Sequence, residues 1–396
     1  MIYVHVPFCE SFCTYCGFFS TVIQSEANLC FEPYSDAICG EILARRDEIL
    51  ATSEVETLYI GGGTPSVLPL GVLSRIVRTI EGSAPEPEGT ATDSAGEPLP
   101  VASRSCWEEF TVEVNPEDIV RRGEDYVKGL LAIGVNRISM GVQSFDDGIL
   151  KWMNRRHDSA AAVEAFRILR RCGVGNISID LIFGLPQLSG ELWTETLDKA
   201  VALGPEHISA YQLSIEEDSA LERMIAQGKF EEATDEQCRK QYDLLCDKLG
   251  QAGYHHYEVS NFALPSKEAI HNSAYWRRVP YVGLGPGAHS LSADGVRSWN
   301  GEDIPRRLDD GNLQAYAREE EILSPEDIRI ERIMLPLRTD AGLPEAELRS
   351  LAGDVPVDRL ISEGALVPCR SERNEVFLRI PEDRFFVSDE IIRELI

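Results

Sequence analysis

Six times between residue 1 and about residue 215, a short apolar stretch is followed by a longer one of helical periodicity. The short stretches predict strands over 2–6, 57–60, 110–114, 137–141, 178–182 and 208–213. Between them lie patterns such as "YVKGLLAIG", "AAAVEAFRILRRCG" and "LWTETLDKAVALG", each closed by a glycine, a common helix stop. Such alternation predicts an α/β fold, a parallel sheet with helices outside it. Six units predict a partial (β/α)6 barrel in place of a closed eight-fold one. The carboxyl ends of barrel strands are where binding groups collect, and here every predicted strand runs into a polar or glycine motif. The first leads into a cysteine loop. The second leads into Gly61-Gly62-Gly63-Thr64-Pro65, the third ends at Glu113 in "EVNP", and the fourth ends at Gln143 in "GVQSF". The fifth carries Asp180 in "DLIFGLP", and the sixth ends near Ser214. Gly62 and Gly63 allow close backbone approach to a ligand. Glu113, Gln143 and Asp180 carry groups for an amine, a carboxylate or a ribose hydroxyl.

The cysteine loop, "YVHVPFCESFCTYCGFFS", spaces Cys9, Cys13 and Cys16 as C-x3-C-x2-C. Three thiolates can hold a [4Fe–4S] cube and leave one iron without a protein ligand. An open metal position is where chemistry takes place. A structural zinc site using the three cysteines plus His5, and three free thiols, are the other readings of the spacing. The remaining cysteines, Cys30, Cys39, Cys106, Cys172, Cys238, Cys246 and Cys369, are scattered and read as thiols of a reducing compartment.

Composition narrows the partners. A formal net charge of −28 repels a phosphate backbone, so nucleic acid is not expected as a partner. No apolar run approaches the ~20 residues that span a bilayer, which leaves at most peripheral membrane contact. No basic segment followed by an apolar one opens the chain, and a cytoplasmic location is expected.

The predicted barrel occupies residues 1–233. Residues 82–105, "GSAPEPEGTATDSAGEPLPVASRS", interrupt it with almost no large hydrophobes and read as a disordered surface insertion. Residues 234–322 read as a barrel-closing extension. It holds a polar helix, a strand-like "HHYEVSNFA", the segment "HNSAYW" and a Gly-rich turn, "GLGPGAHS". Residues 323–396 read as a separate small α+β domain whose element order is winged-helix-like.

The cysteine loop resembles that of the radical S-adenosylmethionine (SAM) superfamily. Together, "YVHVPFC", "GGGTP", "EVNP", "GVQSF…NRRH" and "DLIFGLP" resemble the HemN/HemW group within it, over nearly the whole chain. The resemblance implies that Cys9, Cys13 and Cys16 ligate a [4Fe–4S] cluster whose open iron is chelated by SAM. It also implies SAM contacts at Tyr3, Tyr15, Gly62, Gly63, Thr64, Glu113, Gln143, Arg155 and Asp180, with Ser214 and His289 matching more loosely.

That group contains oxygen-independent coproporphyrinogen III oxidases and heme chaperones, which bind heme and pass it to acceptor hemoproteins, respiratory enzymes among them. Two features separate this chain from the oxidases. Their motif continues Cys-x-Cys, whereas Cys16 is followed here by Gly17 and Phe18, and the chain begins directly at the first strand. One feature favours the chaperones: His271-Asn272-Ser273-Ala274-Tyr275-Trp276 matches their HNxxYW pattern. An imidazole is a heme-iron ligand, and Tyr275 and Trp276 offer flat apolar surface. The expectation is a SAM- and cluster-binding heme chaperone with His271 as a heme contact. The alternative is a radical SAM enzyme acting on a porphyrinogen or modifying heme.

Overall fold

The structure is a computed structural model and describes residues 1–23, 28–52, 55–82, 107–217, 219–308, 311–370 and 375–396. The predicted insertion lies outside the described residues apart from Gly82, whose left-handed φ of 73° caps the helix before it.

The six predicted strands are present, most of them a residue or two longer. They are β1 (Ile2–Val6), β2 (Thr57–Gly62), β3 (Glu109–Val114), β4 (Arg137–Gln143), β5 (Ile177–Phe183) and β6 (His207–Gln212). Each is followed by a helix of the outer layer: α1 (Asn28–Ala44), α2 (Leu70–Glu81), α3 (Pro116–Ala132), α4 (Ser159–Arg171), α5 (Gly190–Leu203) and α6 (Asp235–Gln251). Side-chain caps start several of them. Asp158 accepts from Ala161 N, Ser189 accepts from Leu192 N, and Thr234 forms a capping box with Gln237.

The "HHYEVSNFA" segment folds as a hairpin, β7 (His255–Glu258) and β8 (Asn261–Ala263), that adds antiparallel to β6. The Gly-rich segment holds a further parallel strand, β9 (Val282–Leu284), beside β1. A turn was expected there. A side chain at Gly283 would press on the His289 carbonyl at 1.9 Å, so only glycine lets the strand lie so close to the following chain. The nine-stranded sheet runs β9-β1-β2-β3-β4-β5-β6-β8-β7, parallel from β9 to β6. Its end strands do not pair, so the barrel is partial.

Residues alternate across each strand with period two. One set, including Leu58, Ile60, Phe110, Val112, Ile138, Met140, Ile179 and Ile208, packs with Leu73, Ile76, Val127, Leu130, Leu169 and Leu197 in the main apolar core. Each such side chain contributes about 1.5–3 kcal/mol by burial. The other set is polar. Tyr3 and His5, Tyr59, Thr111 and Glu113, Arg137 and Ser139, Asp180, then His207 and Ser209 form a network inside the barrel.

"HNSAYW" forms a short helix, α7 (Ile270–Trp276), at the amino ends of β2 and β3. Beyond it, α8 (Pro325–Leu337), β10 (Leu343–Pro344), α9 (Glu345–Ala352), α10 (Asp354–Ser362), β11 (Val367–Arg370), β12 (Val376–Arg379) and α11 (Ser388–Arg393) follow in winged-helix order, around an antiparallel sheet β10-β12-β11. This unit is joined to the barrel by Val259 N to Arg338 O at 3.1 Å and Asp340 N to Tyr257 O at 3.0 Å. Arg278 and Arg297 both donate to Glu331 of α8. No helix among the described residues is long and apolar enough to cross a membrane.

Candidate cluster and SAM site at the barrel mouth

The cysteine loop leaves β1 through Pro7. Phe8 and Cys9 then pair in parallel with Thr21 and Val22, which closes the loop on itself. Its middle is pinned to the chain after β4: Thr14 N donates to Met153 O at 3.0 Å, and Asn154 Nδ2 donates to Phe12 O at 2.6 Å. Cys9, Cys13 and Cys16 thereby line one cavity of about 470 Å³ that opens at the carboxyl ends of the strands. Cys9 Sγ lies 3.4 Å from Thr64 Oγ1, and Cys13 Sγ lies 3.4 Å from Arg155 Nη1. Burial pushes the Cys9 thiol up, and the Cys16 thiol up to about 11.

The Gly61–Thr64 run passes directly beneath that loop. Gly63 N donates to Val6 O at 2.8 Å, and a Cβ at Gly63 would lie 2.7 Å from Phe8 O and 3.0 Å from Cys9 Sγ. Gly62 takes a φ of 111° and donates its N–H to Glu113 Oε2 at 3.1 Å. Thr64 Oγ1 also accepts from Asn115 Nδ2 at 3.2 Å.

Glu113 and Asp180 are half-buried carboxylates that line the cavity. Tyr59 OH donates to Glu113 Oε1 at 2.7 Å, and Ser139 Oγ donates to Asp180 Oδ1 at 3.3 Å. Burial raises Glu113 to about 7 and Asp180 to about 6. Arg155 crosses between strands, with Nη2 donating to Asn115 Oδ1 at 2.6 Å and to Gly141 O at 2.7 Å. Gln143 ends β4 with a φ of 67°, a conformation rare outside glycine, and it lines the same cavity. Tyr15 lines it as well, its phenol raised by burial.

Eleven of the sequence-predicted residues thus share one cavity: the three cysteines, Tyr15, Gly62, Gly63, Thr64, Glu113, Gln143, Arg155 and Asp180. Ser214 joins them at the rim and donates to Glu216. Tyr3 lies within the barrel but is not among the lining residues; its hydroxyl meets His5 Nδ1 at 3.0 Å. His289 is exposed on a neighbouring strand, stacked against Trp299.

His271 lies away from the mouth. It is 1% exposed, with Nδ1 2.8 Å from Thr57 Oγ1 and Nε2 3.1 Å from Tyr275 OH. Both ring nitrogens are engaged, and burial lowers its pKa to about 3. His207 is held in the same way, between Ser178 and Tyr257. Within the HNxxYW segment, it is Asn272 that lines the cavity.

Sequence reasoning missed Asn115, Tyr59, Arg137, Ser139 and Ser209, all of which line the cavity. The signal was available. Tyr59, Arg137, Ser139 and Ser209 occupy the alternate, polar positions of the strands, and Asn115, just beyond β3, stands inside the "EVNP" motif already singled out.

The comparisons with known proteins agree with this geometry. The Radical SAM superfamily model matches residues 3–200. "Heme chaperone HemW" of Bacillus subtilis is 32% identical over 366 residues, covering 89% of this chain and 88% of that one. "Heme chaperone HemW" of Synechocystis sp. is 32% identical over 358 residues, covering 88% and 80%. The chain belongs to the HemW family of the radical SAM superfamily. Its fold matches that of the coproporphyrinogen III oxidase HemN from Escherichia coli, with a TM-score of 0.75 at 22% identity over 100% of this chain and 89% of that one.

Radical SAM proteins use a [4Fe–4S] cluster and SAM, and the residues of this family member fit both. Three thiols open onto one cavity, and the absence of a side chain at Gly63 clears the space beside Cys9 Sγ. The Glu113 and Asp180 carboxylates, the Gln143 amide and the Arg155 guanidinium supply complementary donors and acceptors around it.

Proposed function

We propose that this chain binds heme and passes it to acceptor hemoproteins in the cytoplasm, using a [4Fe–4S] cluster and SAM held at the barrel mouth. Respiratory enzymes are the acceptor class we favour. The observation that carries the reading is the match to HemW heme chaperones over nearly nine-tenths of the chain. In this reading Cys9, Cys13 and Cys16 hold the cluster, and Arg155 places positive charge beside Cys13. Gly62, Gly63 and Thr64 offer backbone against SAM, and Glu113, Gln143 and Asp180 receive its polar groups. A cluster with an open iron supplies SAM chelation and one-electron reduction when bound.

Heme contact through His271 belongs to the same reading. It requires the ring to release one of its two hydrogen bonds and α7 to shift from the barrel floor.

The porphyrinogen-oxidase reading has a fold match in its favour, while Phe18 stands where the oxidase motif has its further cysteine. Phe18 is 72% exposed at the cavity rim, which suits an apolar contact surface and supplies no thiol.

The test is anaerobic reconstitution followed by titration with heme and, separately, with coproporphyrinogen III. The expected result is a saturable Soret change with heme and no decarboxylation of the porphyrinogen. Stoichiometric decarboxylation would install the oxidase reading. Asp180→Ala, tested alongside, should weaken SAM binding while leaving iron content unchanged.

A further inference from the structure

The floor of the cavity holds a cation without an ion-pair partner among the described residues. Arg137, on the lumen side of β4, is 2% exposed and lines the cavity. Among the described residues its one hydrogen bond runs from Nη1 to Thr111 Oγ1 at 3.4 Å, and its Nε has no partner. The acidic groups around it are committed elsewhere. Glu109 accepts from the backbone N–H groups of Ile270 and His271 at 2.8 and 3.2 Å and from Thr111 Oγ1 at 3.2 Å. Asp180 accepts from Ser139, and Glu113 accepts from Tyr59 and Gly62. They act on Arg137 through space, without a direct bond. A buried guanidinium with most of its five donors unused is costly and is normally met by an anion. Asn272, the residue of α7 that lines the same cavity, adds a carboxamide from a second element.

We propose that Arg137 and Asn272 form a carboxylate-binding subsite on the floor of the barrel lumen. The planar guanidinium fork suits two carboxylate oxygens, and an amide N–H donates to one of them. Arg137 stands four residues before Gly141 on β4, so its backbone is about 13 Å further into the barrel than the Arg155 contact at the mouth. The floor is therefore a separate place from the cysteine loop. Two sources share the chemistry: a free small carboxylate, and a propionate arm of a tetrapyrrole. The second rests on the heme reading above; the first does not.

The experiment uses the reconstituted protein and compares ferric heme with heme dimethyl ester, which lacks free carboxylates, by Soret titration. A parallel series measures thermal protection by sodium propionate. If the arm is the occupant, the wild type binds the diacid at least about tenfold more tightly than the ester, one factor of ten being about 1.4 kcal/mol. Arg137→Gln then abolishes that preference, and Asn272→Ala reduces it. If a free carboxylate is the occupant, both hemes bind alike while propionate raises the Tm of the wild type and not of Arg137→Gln. Should Arg137→Gln fail to fold, Arg137→Lys and Asn272→Ala carry the comparison, each expected to weaken the effect several-fold. Absence of any heme binding rejects the heme reading and leaves the propionate series to decide the subsite. Equal binding of diacid and ester together with no protection by propionate overturns the proposal, as does a preference or protection that all the variants retain.

Discussion

Arg155 Nη1 lies 3.4 Å from Cys13 Sγ, and the same guanidinium spans the ends of two strands. Its Nη2 donates to Asn115 Oδ1 just beyond β3 and to Gly141 O on β4. The loop is thereby referenced to the sheet and does not depend on its own short turns. Arg155→Leu leaves those two acceptors without their donor, at about 1–3 kcal/mol each. The expected outcome is lower thermal stability and reduced iron per chain after reconstitution and desalting. Arg155→Lys, with a single ammonium, should fall between. Iron and sulfide contents equal to the wild type in the leucine variant would remove Arg155 from this role.

Gly63 offers a sharper steric test. An alanine there sets a methyl 3.0 Å from Cys9 Sγ and 2.7 Å from Phe8 O, and backbone cannot yield cheaply in a packed interior. Gly63→Ala should therefore lower iron content and SAM affinity together. Gly40 is the control. It lies in α1 with nothing within 4 Å of an added Cβ, so Gly40→Ala should be neutral or stabilise by about 0.5–1 kcal/mol. Equal iron in both variants would show that the loop has slack the geometry denies.

Much of this site was legible in the sequence because strand ends and short motifs coincide. Cys9, Gly63, Glu113, Gln143 and Asp180 each sit at or near the end of a strand whose apolar run is easy to see. The lumen was less legible. Tyr59, Thr111, Arg137 and Ser209 alternate with large aliphatic residues, so each strand reads as apolar until its two faces are separated. β9 was missed because three residues give no period to detect, and its glycine, read as a turn signal, serves close packing. His271 illustrates a different difficulty. A motif identifies a segment, while the burial of one member and the access of the next to the cavity depend on how a seven-residue helix is turned.

The two cavity carboxylates set a pH dependence. Burial raises Glu113 to about 7 and Asp180 to about 6 in the folded chain, above the ~4 of unfolded carboxyl groups. A raised carboxyl pKa means the folded state binds more protons than the unfolded one. Their contribution to stability is thus fully present below about pH 4 and is lost as pH rises through 6 to 7. The cluster-free protein should accordingly lose some Tm between pH 5 and pH 8. Glu113→Gln, which cannot ionise, should lose less over the same range. Calorimetry at several pH values checks this, and parallel curves for the two proteins would place the titration elsewhere.

His271 can be tested through its neighbour. In the structure its Nε2 is held by Tyr275 OH at 3.1 Å and its Nδ1 by Thr57 Oγ1 at 2.8 Å. Coordination of heme iron through Nε2 must displace the tyrosine, so the Tyr275 hydroxyl competes with heme. A neutral hydrogen bond contributes about 0.5–1.5 kcal/mol net. Tyr275→Phe keeps the ring and removes the competitor, and it should raise heme affinity roughly two- to tenfold. His271→Ala should remove the nitrogen-ligated Soret signature and, by stranding Thr57 in a buried position, also lower Tm. Thr57→Val separates the two effects: it removes the Nδ1 partner, lowers stability by about 1–3 kcal/mol, and leaves the imidazole free to bind iron. Retention of the heme spectrum in His271→Ala, with no gain of affinity in Tyr275→Phe, would assign His271 the same purely architectural place as His207, bonded at both nitrogens within the barrel.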